Sequence, residues 1–306
     1  MSDQIKRAVS ISLGSPSRDK KVTVNLKGIP ICVERIGTGG DAQAAHRLFL
    51  ELDGKVDALS VGGIDLYVHL DGRDYPVHAG LKIVRGVQYT PLVDGRLLKY
   101  ALEGRLFELG VNSFGTVPRF QRAFIPFGTD RIGLIGAVSA VADEVLIGDL
   151  MFIFGLPVPV RGLENFKRLA RILLPFAGHL PISMLYPPGA REEGSRPKFS
   201  TYWQSADLIA GDMHYIRKYS PENLDRKTVI TNTTTGADIS LLRERGVKEV
   251  ITTTPLYEGR SFGVNMIEGM LTAYAGKGRS LTMTELNELI DELNLRPSVQ
   301  FFNSHT

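Results

Sequence analysis

The sequence predicts a two-domain α/β protein, with a small α/β domain over residues 1–117 and a parallel-sheet domain over 118–306. Three observations predict it. Short apolar runs recur and each stops at a small or polar residue. Helix-period stretches lie between several of them. A polar, aperiodic segment, "NSFGTVPRFQR", ending at Arg122, separates the two groups of runs.

In the first group the runs are "AVSISLGS" (8–15), "ICVERIGTGG" (31–40), "ALSVGGID" (58–65) and "TPLVDG" (90–95). Continuously apolar runs of this length are the mark of strands buried on both faces, as in a parallel sheet. "DAQAAHRLFLELDG" supplies a helix between two of them. "DLYVHLDGRDYPVHAG" alternates around Asp71-Gly72, a two-residue turn signal, and is expected to extend the first sheet as an antiparallel hairpin.

In the second group the runs are "AFIPFGTD" (123–130), "EVLIGD" (144–149), "DLIAGD" (207–212), "TVITNTTT" (228–235) and "EVITTTP" (249–255). "DRIGLIGAVSAVAD" and "ADISLLRERGV" are the helices between them, so β-α-β units and a Rossmann-like sheet are expected. An insert occupies roughly 151–200 and ends in the polar "YPPGAREEGSRPKFS". "SFGVNMIEGMLTAYAG" is helical in period, and Thr282 with Glu285 marks the start of a last helix.

Bulk properties exclude several function classes. There are 36 basic and 33 acidic side chains, and a net charge of +3 is too small for a nucleic-acid footprint. One cysteine, Cys32, excludes an intrachain disulfide and a Cys-rich metal site. It reads as a buried strand thiol, with a nucleophile as the alternative. No H-E-x-x-H or acidic cluster supports a metal. The N-terminus lacks an apolar signal region, and "VLIGDLMFIFGLPVPV" is too short to span a membrane and carries Asp149. A cytoplasmic protein without a transmembrane segment is expected, and a homodimer is compatible with it.

In a parallel sheet the strand C-termini share one edge, and ligands bind outside it. That edge is expected to carry Gly128, Thr129, Asp130, Asp149, Asp212, Asn232, Thr233 and Thr253. The alternative for such residues is helix capping, for which Thr235 and Asp238 are the clearest candidates. "PFGTDRIGLIG" spaces its glycines as Gly128-x4-Gly133-x2-Gly136, unlike G-x-G-x-x-G, but would still place a helix N-terminus and Arg131 by a phosphate. Asp149, at the end of the next strand, would accept from an adenosine ribose and favour NAD over NADP. Asp65 and Asp212 are candidate substrate ligands. Lys99 and Asp94 form a candidate proton-transfer pair, the alternative being a capping aspartate and a solvated lysine. His214 is the candidate acid or base after the third strand; His69 and His78 read as structural.

These features resemble a known family. "SADLIAGD", "VITNTTT", "VITTTP" and "FGVNMIEGML" resemble the late strands and closing helix of shikimate/quinate dehydrogenases. "SISLGSPSRDKKV", "VGGIDLY", "GDLMFIFGLPVPVR", "TNTTT" and "GRSFGVNMIE" resemble bacterial proteins described as quinate 5-dehydrogenases, over nearly the whole chain. The resemblance implies an NAD(P)-dependent oxidoreductase of a small cyclic hydroxy acid. The N-V-T-x-P-x-K and N-T-D segments of shikimate dehydrogenases are absent, and "GVNSFGTVP" (110–118) stands where the latter would be. Lys99 and Asp94 are therefore assigned by chemistry and not by motif. A non-catalytic ligand-binding protein is the alternative. A transferase is a third reading, with Arg191, Arg196 and Lys198 closing over phosphates.

Overall fold

The computed structural model describes residues 5–110, 117–179, 195–257 and 260–302. Packing divides the chain into two compact units. The first holds residues 1–99, 174–187 and 262–294, and the second holds 100–173, 188–261 and 295–306. Of the polar segment expected to separate the domains, residues 112–116 lie outside the described residues, and its last three residues, 120–122, already belong to the first strand of the second unit.

The first unit contains β1 (Lys6–Ser12), β2 (Lys20–Leu26), β3 (Ile29–Gly37), α1 (Ala42–Leu52), β4 (Ala58–Gly62), β5 (Tyr67–Leu70), β6 (Arg73–Pro76), α2 (His78–Ile83) and β7 (Leu92–Val93). Its main sheet has the order β2-β3-β1-β4-β7, with β1, β3, β4 and β7 parallel and β2 antiparallel to β3. β1 and β4 are buried on both faces, but large apolar side chains stand on one face only and small residues on the other. Val9, Ile11, Leu59 and Val61 pack with Phe49 of α1 in one core cluster. Ser10 and Ser60, on the other face, meet a later helix.

The Asp71-Gly72 turn is present, with φ of 49° and 77°. The hairpin it closes does not extend the main sheet, however: β5 and β6 pair only with each other. β4, the strand that precedes the hairpin, already has β1 on one side and β7 on the other, so the hairpin cannot pair with its neighbour in sequence. The antiparallel edge is β2 instead. It returns through Lys27-Gly28, with φ of 47° and 88°, where Asn25 Oδ1 accepts from the Gly28 N–H at 2.7 Å.

The chain continues with α3 (Arg96–Gly104), α4 (Leu106–Leu109), β8 (Phe120–Ile125), α5 (Ile132–Val141), β9 (Ala142–Ile147), α6 (Asp149–Phe154), β10 (Val160–Arg161), α7 (Leu163–Ala177), α8 (Ser200–Ser205), β11 (Leu208–Ala210), α9 (Met213–Tyr219), β12 (Thr228–Thr231), α10 (Gly236–Glu244) and β13 (Glu249–Thr252). A small hairpin of β14 (Leu256–Tyr257) and β15 (Arg260–Ser261) precedes α11 (Val264–Ala275), α12 (Met283–Glu292) and β16 (Ser298–Phe301).

The second unit is built on a sheet of order β10-β9-β8-β11-β12-β13-β16. The five central strands are parallel, and β10 and β16 run antiparallel at the edges. From β8 the chain moves outward to β9 and β10, then returns to β11 and moves the other way. This is the strand order of a doubly wound, Rossmann-like sheet with its third strand reversed. Phe124, Ile209, Val229 and Val250 form its core with Trp203, which meets Phe124 edge-on at 5.1 Å. α10 begins with a capping box, Thr235 with Asp238, and α12 with another, Thr282 with Glu285.

α11 and α12 belong to the first unit. α11 lies over β1, β3, β4 and β7. Its Asn265 Nδ2 donates to Ser10 Oγ at 2.8 Å, and Gly269 faces Ser60. Gly95, just after β7, has φ +89°, and a Cβ there would stand 2.7 Å from the Asn265 nitrogen. Left-handed backbone and a backbone collision act together at this one position. Gly95→Ala is expected to cost at least about 2 kcal/mol, read as a fall in the thermal midpoint. A loss below about 0.5 kcal/mol would show that the contact relaxes freely. Among the described residues, no helix is long and apolar enough to cross a membrane.

Candidate functional site

The topological switch point of the second unit lies between β8 and β11, whose following helices belong to oppositely directed halves of the sheet. The turn leaving β8 runs Pro126-Phe127-Gly128-Thr129-Asp130-Arg131 into α5. Gly128 is closely packed: a Cβ would sit 2.7 Å from Ile135 Cδ1 and 3.0 Å from Ile147 Cγ2, so the Ile135 side chain would have to shift to admit one. Its N–H donates to Asp149 Oδ2 at 2.8 Å, and the Thr129 N–H donates to Asp149 Oδ1 at 2.9 Å. The Thr129 hydroxyl donates to the same Oδ1.

Asp149 therefore stands at the end of the second strand, as expected, but its carboxylate is directed at the first turn. It is 4% exposed and carries three donors from Gly128 and Thr129. Burial pushes its carboxyl up to about 6, while the Thr129 and Gly128 donors pull the other way. A carboxylate so enclosed is not offered to a ribose.

Arg131 is 3% exposed and bridges two acids. One terminal nitrogen donates to Glu103, which is 1% exposed, and the other to Asp212 Oδ2 at 3.0 Å. Among the described residues its buried Nε–H has no hydrogen-bond acceptor, and Asp130 Oδ1 lies 4.0 Å from it. Asp212 caps α9 by accepting from the His214 N–H at 2.8 Å through Oδ1. Its Oδ2 also accepts from Asn232 Nδ2 at 3.0 Å. Three strand ends are thus tied together: β8 by Arg131, β11 by Asp212 and β12 by Asn232. Phe127 stacks on Tyr215 of α9, with ring centroids 5.1 Å apart and planes 8° from parallel. Burial, with the Asp130 and Asp149 charges next, pushes the Tyr215 hydroxyl well above its usual range.

Other expected residues take different positions. Thr233 is half-buried after Asn232, and His214 is exposed in the first turn of α9. Thr253 is 4% exposed, and its N–H donates to Thr231 O at 2.8 Å. Of the loop cations, Arg191 lies outside the described residues. Arg196 and Lys198 donate their backbone N–H groups to Lys218 O and Tyr219 O at 2.7 and 3.0 Å.

Lys99, Asp94 and Asp65 belong to the first unit and form a second constellation there. Asp94 is buried. Its Oδ2 accepts from the Leu66 N–H at 2.9 Å, and Oδ1 accepts from Arg96 N and Nη1 at 3.2 and 3.1 Å. Among the described residues Lys99 pairs with Asp65 rather than with Asp94, at 3.9 Å from Nζ to Oδ2. Arg96 continues to Asp74 at 2.7 Å, and Asp74 to His69 at 2.7 Å. Burial opposes ionisation of Asp74, but bonds from Arg96 and His69 hold its carboxyl below the usual range. His78 stacks on His179 at 4.2 Å.

Sequence reasoning did not find Glu268 of α11. It is 2% exposed and accepts from the Leu98 N–H at 3.2 Å. Burial, then the neighbouring Asp94 charge, pushes its carboxyl up to about 8. The available signal was one acid inside the apolar "NMIEGML". Glu103 gave no comparable signal, since "KYALEGRLFELG" is rich in charge. Among the described residues, no group of three or more His, Cys, Asp or Glu side chains could hold a metal ion.

A family described as a domain of unknown function, DUF8754, matches residues 97–302, which is more than half of the chain. The chain belongs to the DUF8754 family. Residues 7–94 match a second family, DUF8753, also described as a domain of unknown function. No curated protein matches this DUF8754 member. Among solved structures it is similar to an NAD-dependent malic enzyme from Thermotoga maritima, at 12% identity and TM-score 0.38, covering 90% of this chain and 73% of that one. It is similar to a glutamate dehydrogenase at 14% identity and TM-score 0.40, covering 95% and 72%. A malic enzyme from Entamoeba histolytica follows at 13% identity and TM-score 0.35, covering 85% and 52%. The resemblance to quinate and shikimate dehydrogenases receives no support from these matches. The Rossmann-like assignment rests on the strand order of this chain itself.

Proposed function

We propose that this protein is an NAD(P)-dependent oxidoreductase of a small hydroxy acid, with the dinucleotide held at the β8–β11 switch point of the second unit. The observation that carries the reading is the strand order, because doubly wound sheets bind dinucleotides where that order reverses. The β8–α5 turn also has the chemistry to hold an anion. Its Gly128 and Thr129 N–H groups already hold a carboxylate, and the buried Arg131 Nε–H that follows them lacks an acceptor among the described residues. Gly128, Thr129 and Arg131 would then serve the phosphates. Asp130, Asn232, Thr233 and Thr253 would serve ribose or substrate hydroxyls. Partly exposed acids at this edge, Asp130 and Asp212, disfavour a further phosphate and so favour NAD over NADP. A bound nicotinamide would supply the redox chemistry. On the first unit, the Lys99–Asp65 pair is chemically suited to exchange a proton with a hydroxyl, and a cyclic polyol acid of the quinate type is the substrate class to try first.

One observation favours a second reading, a ligand-binding protein without turnover: the turn N–H groups are bonded to Asp149. Calorimetric titration with NAD, NADH, NADP and NADPH separates the outcomes. Saturable binding of NAD or NADH, with nicotinamide reduction by a hydroxy acid, is the expected result. Binding without turnover across hydroxy acids favours the second reading, and absence of binding by all four overturns the first.

A further inference from the structure

The β8–α5 turn presents an anion cradle that the chain fills with its own carboxylate. In a strand–turn–helix unit of this kind, the turn N–H groups and the helix N-terminus attract phosphate oxygens. Here two of those N–H groups, from Gly128 and Thr129, donate to opposite oxygens of Asp149 at 2.8 and 2.9 Å, and the Thr129 hydroxyl adds a third bond. The acid arrives from the start of α6, directly after the neighbouring parallel strand. We infer that Asp149 is a built-in competitor for this cradle, so that a phosphate-bearing ligand engages the turn only when Asp149 releases Gly128 and Thr129. The inference rests on the dinucleotide reading of the turn and names the residue that sets affinity there.

The groups around Asp149 decide the direction of the effect. Asp130 on the turn and Tyr215 of α9 interact with Asp149; next to them on the same turn Arg131 pairs with Glu103 of α3 and with Asp212 at the start of α9. Arg131 is shared between Glu103 and Asp212, so its charge is answered before Asp149 is counted. Asp130 repels a second negative charge, and Tyr215 remains neutral throughout the working range. Ionised Asp149 is both the stronger acceptor for the turn and a repulsive neighbour for phosphate. Protonated Asp149 is a weaker acceptor and carries no charge. With burial holding the carboxyl at about 6, the competitor is strongest above that pH and weakens below it. Affinity for a pyrophosphate should therefore rise as pH falls through this region. NAD is the suitable probe, because its pyrophosphate keeps the same charge over the range.

The test is calorimetric titration of the full chain with NAD near pH 5 and near pH 8, with the wild type, Asp149→Asn and Thr129→Val. The wild type is expected to bind about tenfold more tightly near pH 5. Asp149→Asn is expected to bind equally at both, at least as tightly as the wild type at low pH. Thr129→Val keeps the N–H groups but loses the hydroxyl bond to Oδ1, and its pH midpoint is expected to move upward. It provides the reading should Asp149→Asn fail to fold, which circular dichroism would show. Binding by Asp149→Asn alone also supports the competitor. Wild-type affinity that is independent of pH and equal to that of Asp149→Asn overturns the inference and leaves the dinucleotide reading standing. No binding by any of the three proteins overturns the dinucleotide reading, and the inference with it.

Discussion

Replacing Arg131 by alanine is expected to destabilise the second unit by about 3–5 kcal/mol, the largest effect of any single substitution at the switch point. Arg131 is 3% exposed and its partner Glu103 is 1% exposed, so removal of the guanidinium takes a buried counter-charge from a carboxylate that solvent does not reach. The loss extends to Asp212, whose Oδ2 keeps only Asn232 Nδ2 of the two donors described. A neutral pair of similar volume should behave differently. Arg131→Met combined with Glu103→Leu removes both charges, and buried ion pairs replaced in this way are often neutral or better for stability. The chain has one tryptophan, Trp203, fully buried in the core of the second unit. Its fluorescence in a urea titration reports that unit by itself. A single-variant loss below about 1 kcal/mol would mean that Glu103 is solvated or neutral without its partner.

The strand ends met by Arg131 show what a sequence carries and what it does not. β8, β9, β11, β12 and β13 were legible because each is an apolar run closed by Gly, Asp or Thr, and helix starts were legible as Thr235 with Asp238 and Thr282 with Glu285. Those signals are local. That Arg131, Asp212 and Asn232 meet depends on β11 lying between β8 and β12, and no local pattern encodes strand order. The edge strands β10 and β16 are two and four residues long, too short for a period to appear. β2 did have a signal, the alternating "VTVNL" before Lys27-Gly28, but it is not a continuous apolar run, and Lys20 and Lys21 open it. Asp149 is the instructive intermediate case. Its position after the second strand was legible, while the direction of its carboxylate was not, because the backbone donors that hold it lie in the turn after β8, far from it in sequence.

Glu268→Gln is expected to change the pH dependence of stability more than any other isosteric replacement in the first unit. The sign follows from the direction in which burial moves the carboxyl. Burial and the Asp94 charge raise it in the folded protein from 4.5 to about 8, so the folded protein holds a proton that the unfolded chain has released. Stability from this group therefore falls as pH rises across that window, and the penalty is complete only above about 8. Each tenfold change in proton affinity corresponds to about 1.4 kcal/mol, so an effect of roughly 2–4 kcal/mol is expected between pH 5 and pH 9. Glutamine removes the titration and keeps an oxygen to accept the Leu98 N–H. The variant should match the wild type near pH 5 and exceed it near pH 9. Thermal melts followed by circular dichroism at the two values make the comparison. Asp53 and Asp74 do not interfere, since their lowered carboxyls contribute stability that is lost only below the usual carboxylate range. An equal difference between variant and wild type at both pH values would show that Glu268 is ionised in the folded protein throughout. In that case a charge, and not a proton, sits between Asp94 and the start of α3, and Lys99 one turn along that helix would be its counter-ion.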